Sequence, residues 1–304
     1  MSILTIDIGG TFIKYAYMNP GASIIERGKT DTPRGGNTES VQSGRTALLD
    51  ILESLFRARS DVEGIAISLP GIIDSDNGYI VMGGALRYND DFYLRHELYA
   101  RCPVPITMEN DTNCAGLAEA ANGSLKDVND GFFITIGTMI GGAYIKDRRL
   151  HRGHHFAAGE VSYINTLRDS APTEESIWGN RCSAVGLCHR YARMKGIAPE
   201  TVSGIDVFDA VEAGDPAAIG CLTAFARELA MQIFNLQTIL DPERFAIGGG
   251  ISARPELIAE IRRQLDILYD SCPYRIPRAD VVTSKFQNDA NLIGALQCYL
   301  RRNL

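Results

Sequence analysis

Residues 3–18 read ILTIDIGGTFIKYAYM, and this stretch decides the fold. Its two apolar runs, Ile3–Ile8 and Phe12–Met18, predict neighbouring strands, and Gly9-Gly10-Thr11 between them predicts a tight turn. Glycines at a strand end let backbone N–H groups approach a phosphate with no Cβ in the way. Asp7 lies inside the first apolar run, where a carboxylate is costly unless a cation or water meets it. The stretch therefore predicts either a phosphate-binding hairpin with Mg²⁺ near Asp7, or an ordinary hairpin with a surface aspartate.

Strands and helices alternate along the rest of the chain, which predicts an α/β protein. A second strand–turn–strand unit at Gly131–Lys146 repeats the first, which suggests a duplicated domain. We expect a smaller N-terminal domain over residues 1–117, a larger one over 118–289, and a closing helix over 290–304 that packs back on the first. The pattern also predicts a loop over Asp31–Asn37 and a hairpin bounded by Arg148-Arg149 and Arg152-Gly153. Helices are predicted at Thr38–Arg57, Tyr93–Cys102, Asp111–Ala121, Ser183–Lys195, Val207–Gly214, Ala217–Leu240, Pro255–Tyr269 and Ala290–Arg301.

Composition limits the classes of function. Hydrophobic residues make up 45% and charged residues 22% of the 304 residues, as in a folded globular protein. The net charge of −7 disfavours nucleic acid as a partner. We see no apolar window of about 20 residues and no leader peptide, so we expect a cytoplasmic protein that does not enter the membrane. The seven scattered cysteines predict reduced thiols.

Three further segments could carry chemistry. Ile136–Gly142 places a Gly/Thr turn after a buried strand, and Gly248-Gly249-Gly250 follows another strand. The Ile136–Gly142 segment fits either one side of a clamp on a ligand or an ordinary tight hairpin. The three glycines fit either a flat ligand such as a nucleoside against bare backbone or a crowded helix N-terminus. Glu109-Asn110-Asp111 ends a strand, where it could bind sugar hydroxyls and accept a proton, or simply cap a helix. By spacing alone, capping is the better explanation.

The order of these pieces resembles the ROK family (repressor, open reading frame, kinase) of sugar kinases, within the hexokinase–actin–Hsp70 superfamily. Asp7–Thr11 and Gly137–Gly142 match the two phosphate motifs, and Asp241–Ser252 matches the adenosine segment. Glu109-Asn110-Asp111 matches the catalytic segment and Gly159-Glu160 the sugar-binding segment. Residues 288–296 (NDANLIGAL) match the closing helix. The resemblance implies a two-domain actin-like ATPase (ribonuclease H-like) fold with the active site in the interdomain cleft.

The resemblance also implies roles for individual residues. Asp111 would be the general base on a sugar hydroxyl, usually at C6, and Asp7 would position Mg²⁺ through water. The remaining residues fall into a sugar-binding and an ATP-binding group. Sugar-binding residues would be Glu109, Asn110, Glu160 and Tyr163. ATP-binding residues would be Asp7, Gly9, Gly10, Thr11, Lys14, Gly137, Thr138, Gly141, Gly249 and Gly250.

Two departures from the family pattern bear on metal and substrate. Many members have Gly-His where this chain has Ser162-Tyr163, and Trp178–Gly186 holds one cysteine where the family has a zinc loop. We therefore expect no structural zinc and a resemblance to the zinc-less branch, which includes bacterial β-glucoside kinases. The expected function is an ATP-dependent hexose kinase, with a β-glucoside favoured over glucose, acting as a homodimer. The alternatives are an N-acetylmannosamine or fructose kinase, or a non-catalytic sugar sensor.

Overall fold

A computed structural model describes residues 2–34, 38–167 and 171–303. Its strands are β1 (Ser2–Ile8), β2 (Phe12–Met18), β3 (Ile24–Asp31), β4 (Val62–Leu69), β5 (Ile72–Asp74), β6 (Tyr79–Met82), β7 (Ile106–Asn110), β8 (Gly131–Ile136), β9 (Ile140–Lys146), β10 (Arg149–His151), β11 (Arg244–Gly248) and β12 (Val281–Thr283). Its helices are α1 (Thr38–Arg57), α2 (Leu94–Arg101), α3 (Asp111–Asn122), α4 (Trp178–Arg181), α5 (Ala184–Lys195), α6 (Gly204–Glu212), α7 (Pro216–Leu240), α8 (Pro255–Ser271) and α9 (Ala290–Asn303).

The chain divides into two compact units, each built around one five-stranded sheet. Unit 1 comprises Met1–Ala121, Arg152–Ala158 and Asp289–Leu304, and unit 2 comprises Asn122–His151 and Gly159–Asn288. The sheet of unit 1 has the order β3-β2-β1-β4-β7, and that of unit 2 the order β10-β9-β8-β11-β12. In both sheets three antiparallel strands are followed by two parallel ones. The shared topology agrees with the duplication suggested by the two strand–turn–strand units.

The continuous apolar run of β1 follows from helices on both faces of its sheet. Leu4, Ile6 and Ile8 pack into a core that includes α1. Alternate residues such as Ile3 face the other side, where α9 closes the sheet. Because side chains alternate along a strand, Asp7 lies on the same face as Ile3 and meets α9.

The core of unit 2 surrounds helix α7. Trp178, fully buried, packs there with Phe225 and Leu229, so the single tryptophan is a packing anchor. The sequence predicts no apolar window of about 20 residues, yet α7 is apolar enough by length and composition to span a bilayer. Half of its most apolar window is buried in the protein core, as in an interior helix of a globular domain. All seven cysteine thiols are unpaired, as predicted.

The structure corrects several predicted boundaries. The hairpin predicted between Arg148-Arg149 and Arg152-Gly153 is instead formed by β9 and β10, and it turns at Asp147-Arg148, both with positive φ (51° and 61°). Helix α6 begins at Gly204, three residues before its predicted start, because Ser203 and Asp206 form a capping box. The hairpin β5–β6 was not predicted. The loop predicted at 31–37 begins one residue later than predicted, because β3 includes Asp31. Its residues 35–37 lie outside the described residues.

Candidate active site

Asp7 lies near the end of β1, and one of its two carboxylate oxygens is engaged by the protein. Oδ1 accepts hydrogen bonds from Ser68 Oγ (3.0 Å) and Asn291 Nδ2 (3.0 Å). Among the described residues no group donates to Oδ2. Burial raises the pKa of Asp7, while the hydrogen bond from Asn291 and the charge of Lys14 oppose that rise. Lys14 pairs with Asp7 in the β1–β2 register.

Hydrogen bonds from Thr32 hold the Gly9–Thr11 turn, while two residues of the turn are exposed to solvent. Thr32 Oγ1 donates to Gly9 O (2.7 Å), and the Thr32 N–H donates to Thr11 O (3.0 Å). The turn itself is closed by the Gly9 N–H, which donates to Phe12 O (3.0 Å). Gly10 and Thr11 are exposed. The Gly10 N–H and the Thr11 hydroxyl are therefore candidate donors to an anion.

The spacing left two roles open for Asn110 and Asp111, namely helix capping and proton acceptance, and the structure distinguishes the two residues. Asn110 caps helix α3, because its Oδ1 accepts from the Asn113 N–H (3.0 Å) while its Nδ2 donates to Gly71 O (2.9 Å). Asp111 Oδ1 accepts from the N–H and the hydroxyl of the next residue, Thr112 (2.7 and 3.3 Å). Within the described chain Asp111 Oδ2 has no partner. Capping therefore accounts for Asn110 and does not account for Asp111.

The pKa of Asp111 suits a base working near neutrality. Burial, and next the negative charge of Asp7, raise this pKa to about 6, against weaker opposition from the Thr112 hydrogen bonds. The two carboxyl groups are thus close enough to influence each other. A general base is most effective when its pKa lies near the operating pH.

Glu109 departs from the substrate-binding role predicted for it. Its Oε1 accepts from the Asn110 N–H (3.0 Å) and Asn113 Nδ2 (3.0 Å). Its Oε2 accepts from Ser75 Oγ (3.1 Å) and Arg152 Nε (2.7 Å). Both oxygens are therefore occupied by protein donors, and the side chain is 1% exposed. The hydrogen bonds of this carboxylate therefore support the junction of β7 and α3, and each of its oxygens already has two protein donors.

In unit 2 the two predicted nucleotide segments are neighbours. Gly249 has φ +96°, and a Cβ there would lie 2.2 Å from the carbonyl oxygen of Ile136, the residue before Gly137. The Gly137 N–H donates to Met139 O, and Gly137 O accepts from the Ala184 N–H at the start of α5 (3.0 and 2.9 Å). Thr138 is exposed. Gly141, predicted as part of the turn, instead pairs with Thr135 inside the β8–β9 ladder, since β9 begins at Ile140.

The glycines of these segments separate into those that the fold requires and those that it does not. Gly248 is required, because a Cβ would meet the Phe133 ring at 2.6 Å, and Gly249 is required as described above. A Cβ at Gly250 would meet nothing within 4 Å, and one at Gly137 would make an ordinary 3.7 Å contact. The fold therefore leaves Gly250 and Gly137 unexplained, and close approach of a ligand is a reason for both.

Glu160 follows Gly159, whose backbone lies in close contact with strand β9. Gly159 has φ +96°, and a Cβ there would lie 2.3 Å from Gly142 O. This contact holds the Gly159-Glu160 step against β9. Tyr163 ends the short 3-10 helix that follows, and it is 52% exposed. Burial and the charge of Glu160 raise the pKa of Tyr163, so its phenol stays protonated at neutral pH.

Five residues that hold the site together are not among the predicted site residues. Ser68, Asn291 and Thr32 hold the Asp7 region, and Ser75 and Arg152 hold Glu109. The available signal was the cost of a carboxylate in an apolar strand, which demands donors but does not say where along the chain they lie.

Comparison with known proteins agrees with the geometry. The sequence pattern of the ROK family matches residues 3–302. A β-glucoside kinase of Klebsiella pneumoniae is 35% identical over 97% of this chain and 95% of its own length. A β-glucoside kinase of Listeria monocytogenes is 32% identical over 99% of this chain and 98% of its own. A Streptococcus pneumoniae ROK protein solved with sucrose superposes with a TM-score of 0.87 at 29% identity, covering 99% of both chains. With its duplicated sheets, its two glycine turns and a pattern that spans nearly every residue, the chain belongs to the ROK family.

Proposed function

We propose that this protein transfers the γ-phosphoryl group of ATP to a hydroxyl, at C6, of a β-glucoside. Relatives named as sugar kinases align over nearly its whole length, so ATP-dependent sugar phosphorylation is the activity of the chain. The choice of sugar is the finer step, and it rests on the two β-glucoside kinases at 32–35% identity. The observation that carries the catalytic proposal is Asp111, a carboxylate with one oxygen free of described protein partners and a pKa of about 6.

Unit 1 contributes the general base and some of the groups that neutralise the charge of the phosphates. Asp111 accepts the proton of the attacking hydroxyl. Asn110, fixed by its cap and by Gly71, orients a ring hydroxyl through its second amide N–H, since the first donates to Gly71 O. General-base assistance of this kind contributes about 10²–10⁴-fold to rate. Gly10 and Thr11 present an N–H and a hydroxyl to phosphate oxygens, with Lys14 as a nearby cation.

Magnesium fits the side chains near Asp7. The free Oδ2 of Asp7 is the type of oxygen that Mg²⁺ binds directly or through water, and one or two carboxylates with substrate phosphates are its usual protein ligands. When bound, the ion would neutralise part of the phosphate charge. Among the described residues no cluster of three or more His, Cys, Asp or Glu could hold a metal by itself, so the phosphates of ATP would complete this site.

Unit 2 contributes the remaining predicted contacts to ATP and sugar. The Gly137-Thr138 turn binds phosphate, and Gly249-Gly250, beside it, borders the nucleoside. Glu160 and Tyr163 bind sugar hydroxyls. The absence of structural zinc, a homodimer and a cytoplasmic location stay predictions of the family resemblance.

A coupled ADP-release assay tests the proposal. Purified protein with ATP and Mg²⁺ is offered aryl and disaccharide β-glucosides, glucose, fructose and N-acetylmannosamine. We expect the highest kcat/KM with a β-glucoside, and mass spectrometry and NMR of the product should place the phosphate at C6. A higher kcat/KM for another sugar would overturn the β-glucoside assignment. Sugar binding by calorimetry without any ADP release would favour the sensor alternative.

A further inference from the structure

Arg152 is the cation of the most buried ion pair among the described residues, and no part of the proposed chemistry uses it. Its Nε lies 2.7 Å from Glu109 Oε2, with the Glu109 side chain 1% and the Arg152 side chain 26% exposed. Arg152 follows β10 in the sequence, yet the segment Arg152–Ala158 belongs to unit 1, apart from the residues on either side of it. The ion pair therefore joins two segments of unit 1 that lie 43 residues apart.

The segment is also fixed through its backbone. Arg152 O accepts from the Ala158 N–H (3.1 Å), which closes the loop between them. Gly153 at φ +72° and Phe156 at φ +57° lie within this loop. A bulky residue with positive φ is costly and persists only when its surroundings determine it. The Arg152 side chain attaches the base of this loop to Glu109.

The other carboxylate oxygen of Glu109 is hydrogen-bonded to residues of the catalytic segment and of helix α3. Oε1 accepts from the Asn110 N–H and from Asn113 Nδ2, both 3.0 Å away. Asn113 in turn donates its own N–H to the Asn110 side chain. A displacement of the Glu109 carboxylate would thus disturb both residues that define the start of α3, and Asp111 is the first residue of that helix.

We infer that Arg152 is a positioning residue for Asp111, acting through the Glu109 carboxylate. A buried carboxylate that loses its cation must find water or another partner, and that requires the β7–α3 junction to open. The same junction sets the direction of the Asp111 side chain. Small displacements of a catalytic group can cost about 100-fold in rate. The inference rests on the proposed function, since its main readout is sugar phosphorylation.

Four variants test it against wild type. Arg152→Met removes the charge and keeps the length of the side chain, and Arg152→Lys keeps the charge without the guanidinium. The double variant Arg152→Met with Glu109→Gln removes both charges. Arg149→Met is the matched control, because Arg149 is exposed in the neighbouring strand β10. Each is assayed well below its own melting temperature, so that kcat refers to folded enzyme.

We expect Arg152→Met to lower kcat by about 100-fold with the KM for ATP unchanged. Arg152→Lys should lie between it and wild type. The double variant should recover a large part of the loss, because the neutral amide that replaces the Glu109 carboxylate can still accept from the Asn110 N–H and needs no cation. Arg149→Met should behave as wild type.

Two results would overturn the inference. If Arg152→Met retains the kcat of Arg149→Met, the ion pair is only structural. If the double variant stays as slow as Arg152→Met and the KM for sugar rises in both, Arg152 contacts the sugar itself.

Hydrogen exchange separates failure of this inference from failure of the proposed function. If wild type releases no ADP with any sugar, the proposed function fails. The link from Arg152 to α3 is then judged by exchange of the amides of residues 110–113. These should exchange faster in Arg152→Met than in wild type, Arg149→Met or the double variant, and equal exchange in all four proteins would overturn the link.

Discussion

At the residue scale, three consecutive polar side chains take three different tasks. Glu109 is saturated by protein donors, Asn110 caps α3, and Asp111 keeps one oxygen free of described partners. Strand alternation and the start of a helix send neighbouring side chains in different directions, which explains how adjacent residues reach such different surroundings. The difference between a cap and a base is directly measurable, because Asn caps a helix about as well as Asp and cannot accept the proton.

Asp111→Asn should lower kcat by about 10²–10⁴-fold, the usual contribution of a general base. Sugar affinity, measured by calorimetry, should fall much less, since Asn110 and Glu160 are unchanged. Asp50→Asn is the matched control, because Asp50 is an exposed carboxylate paired with Arg101 on the surface of unit 1. Turnover of Asp111→Asn equal to that of Asp50→Asn would remove Asp111 from catalysis.

The pH dependence of kcat/KM should follow the same carboxyl group. Burial and the charge of Asp7 raise the pKa of Asp111 to about 6, so the base becomes protonated, and activity falls, as the pH drops through that value. A raised pKa also means that ionisation of this carboxyl group is less favourable in the folded protein than in the unfolded chain. Stability from this group is therefore greatest below its unfolded pKa and is lost as the pH rises through about 6.

Melting curves test the direction of this change of stability with pH. Asp111→Asn should melt above wild type at pH 7, and the difference should shrink toward a pH of about 4, where the folded protein holds Asp111 protonated. A wild-type rate that is flat between about pH 5 and pH 8, or an Asp111→Asn protein less stable than wild type at pH 7, would contradict the assignment of this pKa.

At the element scale, the glycine-containing backbone segments predicted to contact the nucleotide lie in turns that follow strands. The Gly9–Thr11 turn follows β1, the Gly137-Thr138 turn follows β8, and Gly249-Gly250 follows β11. In unit 2 the last two are brought together by the contact between Gly249 and Ile136. Strands fix where these turns begin, and glycine lets the backbone approach closely.

A pair of glycine variants distinguishes fold from ligand binding. Gly249→Ala forces a Cβ to 2.2 Å from Ile136 O at φ +96°, so it should lower the melting temperature strongly. Gly250→Ala places its Cβ in open space and should melt as wild type while raising the KM for ATP. A Gly250→Ala enzyme with unchanged KM for ATP would show that this glycine does not border the nucleotide.

At the scale of the whole molecule, the two ends of the chain meet in unit 1. Helix α9 packs on the sheet beside β1, and its Asn291 donates to Asp7, 284 residues away. The approach is close, because a Cβ at Gly294 would lie 1.7 Å from Cys114 O on α3. The last helix therefore helps to hold both Asp7 and the helix that begins with Asp111.

Gly294→Ala should separate α9 from α3, lowering both the melting temperature and kcat. The control is Gly220→Ala in α7, where the nearest atom to a Cβ is Met194 Cε at 3.9 Å. Since Ala exceeds Gly in helix propensity by about 1 kcal/mol, that control should melt at or above wild type. A Gly294→Ala protein as stable and active as the control would refute the close packing of α9.

Local patterns in the sequence predict most of the strands and helices, the family and the two glycine turns. Strands β2 and β8 and helix α1 have the predicted bounds, because apolar periodicity and turn residues are local signals. The hairpin β5–β6, short and partly exposed, carries too weak a local pattern to be predicted. The predicted division at residue 117 stays a prediction.

Tertiary structure alone decided how the polar residues are used. In the sequence, Glu109 and Asp111 are two acidic residues of one motif with the same apparent role. Only the contacts with Arg152, Ser75 and Asn113 make Glu109 a buried supporting residue instead of a ligand-binding one. Likewise the three glycines 248–250 look equivalent until Phe133 and Ile136 explain two of them. The physical reason is that desolvation, ion pairing and steric contact depend on atoms distant in sequence, which local pattern does not encode.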